Sequence, residues 1–136
     1  MLDVLRRIQH GSLDAHGARV AAESGVDAAA RRDLDILLWM PGPRDRWRLA
    51  HTPAGDPVGL TVPSRNHTSP VVAFVGVVPE QRGHGYAYDL LVEATHRLVG
   101  EGVEQIVANT DTTNTPMAAA FAKAGYPVVR HRIDLV

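Results

Sequence analysis

The sequence predicts a mixed α/β (α+β) fold in which an antiparallel meander runs into a parallel β-α-β pair. Three observations predict it. Apolar or alternating runs at residues 46–51, 58–62 and 71–78 are separated only by turn chemistry, Pro53-Ala54-Gly55-Asp56-Pro57 and Asn66-His67-Thr68-Ser69-Pro70, so neighbouring strands are expected antiparallel. Beyond residue 78 the period changes. Leu90, Leu91, Ala94 and Leu98 recur at helical spacing, with Asp89, Glu93 and Arg97 on the other side. A further short apolar run lies at 105–110, and a strand that returns through a helix lies parallel to the one it left.

In chain order, Leu2, Leu5, Ile8 and Gln9 mark one short helix, which Gly11 and Gly17 interrupt. Leu34, Ile36, Leu37, Leu38 and Trp39 mark a second, closed by Met40-Pro41-Gly42-Pro43. Residues 46–51 alternate like a half-buried strand and residues 58–62 form the next. The β-branched run 71–78 reads as a buried strand, stopped by Pro79 because proline cannot donate to a ladder. After the strand at 105–110 comes a helix from residue 114 to 124. Thr115 can cap it, Pro116 suits its first turn, and Gly125 suits the left-handed position past its end. Residues 128–135 predict one last strand.

A chain of 136 residues forms one domain with a sizeable core. Its formal charge is −1, with Lys plus Arg at 14 and Asp plus Glu at 15, so nothing points to nucleic acid or an anionic membrane. The absence of cysteine excludes disulfides, thiol nucleophiles and Cys-ligated zinc. No apolar stretch approaches a membrane span and no signal-peptide core opens the chain, which predicts a cytoplasmic protein. Lys123 is the sole lysine beside 13 arginines; with abundant Ala, Gly and Val, that bias fits a GC-rich bacterial gene. Seven histidines show no H-x-x-x-H or H-E-x-x-H spacing, so no metal is expected.

The most informative stretch is Val77-Val78-Pro79-Glu80-Gln81-Arg82-Gly83-His84-Gly85-Tyr86-Ala87. A strand, a glycine turn and a new helix N-terminus make an anion site, because unpaired N–H groups and the helix dipole converge there. A P-loop would need a following lysine, and a dinucleotide loop would need a third glycine where Tyr88 stands. The arrangement resembles instead the GCN5-related N-acetyltransferase (GNAT) superfamily, on the signature Arg82-x-x-Gly85-x-Ala87 preceded by Val77-Val78-Pro79-Glu80. A second signature of that family, an Asn, a short helix and Gly-aromatic, is matched by Asn114 through Gly125-Tyr126. The resemblance covers residues 70–132 firmly and 45–69 loosely, and it covers the first forty poorly.

The resemblance implies acetyl transfer from acetyl-CoA to an amine, small molecule or peptide, by direct attack. The two parallel strands are expected to splay apart around the pantetheine arm, with backbone groups of Val75 and Val77 against it. The loop Arg82, Gly83, His84, Gly85, Tyr86 and Ala87 is expected to hold the pyrophosphate, with Arg82 adding charge. Asn114 is expected near the pantetheine, or as an ordinary helix cap. The family's usual proton donor is a tyrosine seven residues past this Asn, and Phe121 stands there. Asp111, at the end of the 105–110 strand, is the candidate base, against a reading as a turn residue. Tyr126 reads as core, Glu80 as a solvated group, and the side chain of His84 as solvent-facing. The acceptor side is expected from residues 1–50 and the turns at 52–57 and 64–69. The family's first strand is not evident and only one strand follows the second signature; a sheet short at both edges predicts a homodimer. Phe121 and the missing strand also leave open a non-catalytic CoA-binding module.

Overall fold

The computed structural model describes residues 1–111, 113–131 and 133. Three helices open the chain, α1 (Leu2–Gln9), α2 (Ala15–Ser24) and α3 (Val26–Trp39). A meander follows, β1 (Arg48–His51), β2 (Pro57–Arg65) and β3 (Pro70–Val77), antiparallel in the order β1-β2-β3. The helices α4 (Tyr86–Val99) and α5 (Thr115–Lys123) complete the regular elements. Among the described residues no helix is long and apolar enough to cross a membrane.

The sheet separates two cores. Leu60 and Val62, two residues apart on β2, face α1 and α3 and pack with Val4, Leu5, Ile8, Ala30 and Leu37. On the opposite face Val72 meets Leu91, Ala94 and Leu98 of α4 and Ala120 of α5. The periods read from sequence, two for the strands and 3.6 for α4, therefore point at the surfaces that are buried.

The register of β2 on β3 shifts between Val62 and Pro63, where the partner changes from Phe74 to Val72. Pro63 has no N–H, so the ladder cannot continue through it, and Ala73 is left over as a bulge. The bulge places two successive residues, Ala73 and Phe74, against the first core, while Val72 and Val75 pack on the second. It also reverses which edge the backbone of β3 serves. Val78 N–H donates to Val58 at 2.9 Å, and with Leu60 opposite Gly76 and Val62 opposite Phe74 the amides of 74, 76 and 78 face β2. Those of Val75 and Val77 face away from it.

The expected parallel return of residues 105–110 is present in a reduced form. Val107 bridges Val71 in parallel: Val72 N–H donates to Val107 and Val107 N–H to Pro70, both at 3.0 Å. Neighbouring residues then carry no strand assignment. The last expected strand is not found over 127–131 or at 133, and the rest of 128–135 lies outside the described residues.

The N-terminal third departs most from expectation. Gly11, at φ +64°, follows α1 as predicted, but Gly17 lies inside α2. Asp14 overrides it: the carboxylate caps α2 by accepting from Gly17 N–H at 2.8 Å. α3 begins eight residues before the apolar run that announced it, because its first half presents only small alanines, Ala29 and Ala30, to the core.

Candidate active site

Past the Val71–Val107 bridge, β3 and the segment leading to Asp111 separate. The opening widens into a cleft of about 680 Å³ that runs beside the free edge of β3. Its walls include Val72 to Val77, Asn109 to Asp111, the turn Gln81–Gly83 and Gly85–Tyr88, and the α5 face with Met117 and Phe121. Ile8, Gln9, residues 11–14 and Asp33 line it from the α1 and α3 side.

One end is built by the glycine turn. Gly83 and Gly85 adopt φ +84° and +80°, and no atom lies within 4 Å of where a Cβ would stand on either. Gly85 is the N-cap of α4 and supplies no side-chain cap. The first-turn amides of Tyr86, Ala87 and Tyr88 thus have no intrahelical or capping acceptor, and the helix dipole adds positive potential in front of them. Lys123 brings a cation to this end, its ammonium 4.2 Å from the centre of the Tyr88 ring.

Arg82 behaves differently from expectation. Its amide donates to Pro79 at 3.3 Å, and its guanidinium turns back toward α1. Nη2 donates to Ile8 O at 2.8 Å, Nη1 to His10 O at 2.7 Å and Nε to Val77 O at 3.2 Å. The carbonyls at the end of α1 lack helical donors, and a planar fork satisfies two of them together. Burial pushes the Arg82 pKa down while neighbouring Glu80 pulls it up, and the group stays charged. Glu80 in turn accepts from Arg7 at 3.0 Å, a second tie between the turn and α1. Its carboxyl is held below the usual range, first by its own backbone amide and then, against burial, by Arg7. Arg82→Lys keeps the charge but cannot span three carbonyls; about 1 kcal/mol should be lost, or ~3 °C of melting temperature in a domain of this size. An unchanged melting curve would remove Arg82 as the tie between turn and helix.

At the α5 end, Asn114 caps the helix, not Thr115: its Oδ1 accepts from Met117 N–H at 3.4 Å. Asp111 lies on the cleft wall, with Oδ1 accepting from Thr113 N–H at 2.9 Å and Thr113 Oγ1 at 2.7 Å. Tyr126 packs edge-on to Phe121, ring centres 5.2 Å apart. Its hydroxyl is 2.7 Å from Thr95 Oγ1, and Thr95 donates its only hydroxyl hydrogen to Leu91 O at 2.8 Å. Tyr126 must therefore be the donor to Thr95. Its proton is committed to α4 and it stands in the core, away from the cleft.

Of the residues singled out from sequence, Val75, Val77, Arg82, Gly83, Gly85, Tyr86, Ala87, Asp111 and Asn114 all line this one cleft. His84 does not; its ring stands exposed against Tyr86, centres 5.8 Å apart. The turns at 52–57 and 64–69 do not reach the cleft either. From the expected span 1–50, Gln9, Ser12, Asp14 and Asp33 line that wall, and of these only Gln9 falls in the helical period read from sequence.

The profile of the Acetyltransferase (GNAT) family matches residues 28–126. The chain belongs to the GNAT family. Three solved structures share its fold. They are an aminoglycoside antibiotic 6'-N-acetyltransferase from Acinetobacter haemolyticus (16% identity, 81% of this chain and 80% of that one, TM-score 0.57), an acetyltransferase from Trypanosoma brucei (17%, 93% of each, TM-score 0.51) and a transcriptional regulator from Bacillus halodurans (14%, 93% of each, TM-score 0.56). A search of curated proteins finds no match. GNAT membership makes acetyl transfer the general chemistry of this chain, and acetyl-CoA is the family's general donor. It also accounts for the cleft: the two GNAT signatures supply its turn and its α5 wall.

Proposed function

We propose that this GNAT protein transfers an acetyl group from acetyl-CoA directly to an amine. The observation that carries the reading is the continuity of the cleft. It joins the uncapped turn at Gly83–Ala87, suited to a pyrophosphate, to the outward-facing backbone of Val75 and Val77 and onward to the α1 wall.

The residues fit the donor. Unpartnered amides at the start of α4 take phosphate oxygens, with no Cβ on Gly83 or Gly85 in the way. The edge of β3 offers N–H and C=O groups to the amide-bearing pantetheine in the manner of an added strand. An N–H of this edge aimed at the thioester oxygen stabilises the charge that develops there. Asp111 takes a proton from the incoming ammonium, and the neutral nitrogen attacks the thioester carbon. The carbon–sulfur bond breaks to leave CoA thiolate, and the surplus proton on the new amide nitrogen passes to water. With Phe121 unable to donate and Tyr126 held by Thr95, the thiolate takes its proton from water, which a thiol of pKa about 8.5 allows.

Incubation with acetyl-CoA and a panel of amines, followed by free thiol release and product mass, tests the proposal. Amine-dependent thiol and an N-acetylated product are expected. Stabilisation by CoA with no amine-dependent release would leave a binding module and overturn the transfer.

Asp111→Asn separates charge from structure. Asparagine keeps an oxygen for Thr113, so the turn persists, while the base is lost. A fall in kcat/KM of about a hundredfold is expected, typical for removing a general base. A change below threefold would return Asp111 to the turn alone.

A further inference from the structure

Arg82 stands in the turn suited to the donor, yet its side chain works on the opposite wall. Three of the five N–H donors of its guanidinium go to carbonyls: Ile8 O at 2.8 Å, His10 O at 2.7 Å and Val77 O at 3.2 Å. Val77 is on the edge of β3 that faces away from β2, and its carbonyl points the same way as its amide. Ile8 and His10 stand at the end of α1, where the carbonyls carry the negative pole of the helix dipole and favour a cation. Gly11 follows at φ +64°, and a Cβ there would stand 3.2 Å from Arg82 Nη1, so the chain leaves α1 directly against the guanidinium. Residues 11–14, which line the cleft, start from this point. Ser12 N–H donates to Gln9 O at 3.4 Å and Asp14 N–H to Ser12 Oγ at 3.2 Å, bonds that shape the segment without tying it to β3. The body of α1 is held separately, by Leu5 and Ile8 in the first core.

We infer that Arg82 is a positioning residue for the acceptor: it ties the β3 edge at Val77 to the end of α1 and so sets where the 11–14 wall stands relative to the acetyl group. The inference rests on the reading of the chain as an amine acetyltransferase. One planar fork that reaches both sides of the cleft fixes their separation, because its N–H groups keep a fixed angle to one another. Without it α1 stays packed, while the segment beyond His10 loses its anchor to the sheet. Glu80, accepting from Arg7 at 3.0 Å, is too exposed a pair to replace the tie. A displacement of about 1 Å between reacting groups costs about a hundredfold in rate. The pyrophosphate, held by the amides at the start of α4, is not affected.

Arg82→Lys and Arg82→Met test it together, the first keeping the charge and losing the fork, the second losing both. Calorimetric titration with CoA should give both variants a Kd within about threefold of wild type, while kcat/KM for the most rapidly acetylated amine of the panel falls at least about tenfold in both. A guanidinium serving the pyrophosphate predicts the reverse: CoA affinity lost about tenfold or more in Arg82→Met and largely kept in Arg82→Lys, with amine kinetics at saturating acetyl-CoA unchanged. That result, or a lysine variant with wild-type amine kinetics, would overturn the inference. Hydrogen exchange reads the positioning without turnover. Amides of residues 11–14 should exchange about tenfold faster in both variants, and those of α4 no faster than the loss of overall stability allows. Equal acceleration in the two regions would mean a general loosening and sink the assignment. If the wild-type protein acetylates no amine, the transfer reading ends and exchange alone decides the tie: selective acceleration at 11–14 upholds it, and its absence ends it.

Discussion

Gly85→Val is expected to weaken CoA binding about a hundredfold while leaving the protein folded. Gly85 holds φ +80°, a conformation that costs an ordinary residue about 1–2 kcal/mol and a β-branched one more. No atom lies within 4 Å of its missing Cβ, so folding loses only this strain. Binding loses more. The space a side chain would fill is the space through which a phosphate reaches the amides at the start of α4. Removing two hydrogen bonds to a charged oxygen costs on the order of 3 kcal/mol, about a hundredfold in affinity. Thermal melts with and without CoA decide it: saturation at a hundred times the wild-type Kd should raise wild-type stability by about 2.7 kcal/mol, and the variant by only about 0.4 kcal/mol. A variant stabilised as strongly as wild type would show that the phosphates lie elsewhere.

Gly59→Ala should be the most destabilising single methyl addition in the sheet. A Cβ on Gly59 would stand 2.0 Å from the carbonyl oxygen of Gly76, 3.0 Å from its carbon and 3.1 Å from Val77 Cα. These are backbone atoms of the adjacent strand, so no rotamer relieves the clash and β2 must part from β3. Overpacking usually costs 1–3 kcal/mol where side chains can yield; here a cost of about 3 kcal/mol or more is expected, or a melting temperature lower by roughly 10 °C. The strain falls where the backbone of Val77 faces the cleft, so CoA affinity should fall with it. A melting temperature within 3 °C of wild type would mean the strands tolerate separation at this point.

These two glycines mark what was legible in the sequence and what was not. Gly85 stands in a motif whose meaning is local: a strand that proline ends, a left-handed turn and a helix start. α4 and α5 were equally legible, because their apolar spacing and turn residues act within a few positions of one another. Gly59 carried no such sign, since its requirement comes from a strand that follows in the chain. The bulge at Ala73 was visible only as Pro63, a residue that breaks a ladder, and it needed the pairing of β2 with β3 to become a direction for the Val75 and Val77 amides. α2 was missed because Gly17 argues against a helix and the compensating cap, Asp14, gains its weight only once the helix is packed.

Local chemistry determined the family, the left-handed glycine turn before α4 and the phenyl ring at Phe121, because each depends on residues adjacent in sequence. Only the tertiary structure turned Arg82 toward Ile8 and His10, separated β3 from Asp111 to open the cleft, and left the oxygen of Gln9 beside Asp33 without a donor. Each of these joins residues more than twenty positions apart. Their contacts depend on how helices pack on a sheet, and hydrophobic period records which face is buried but not what it meets.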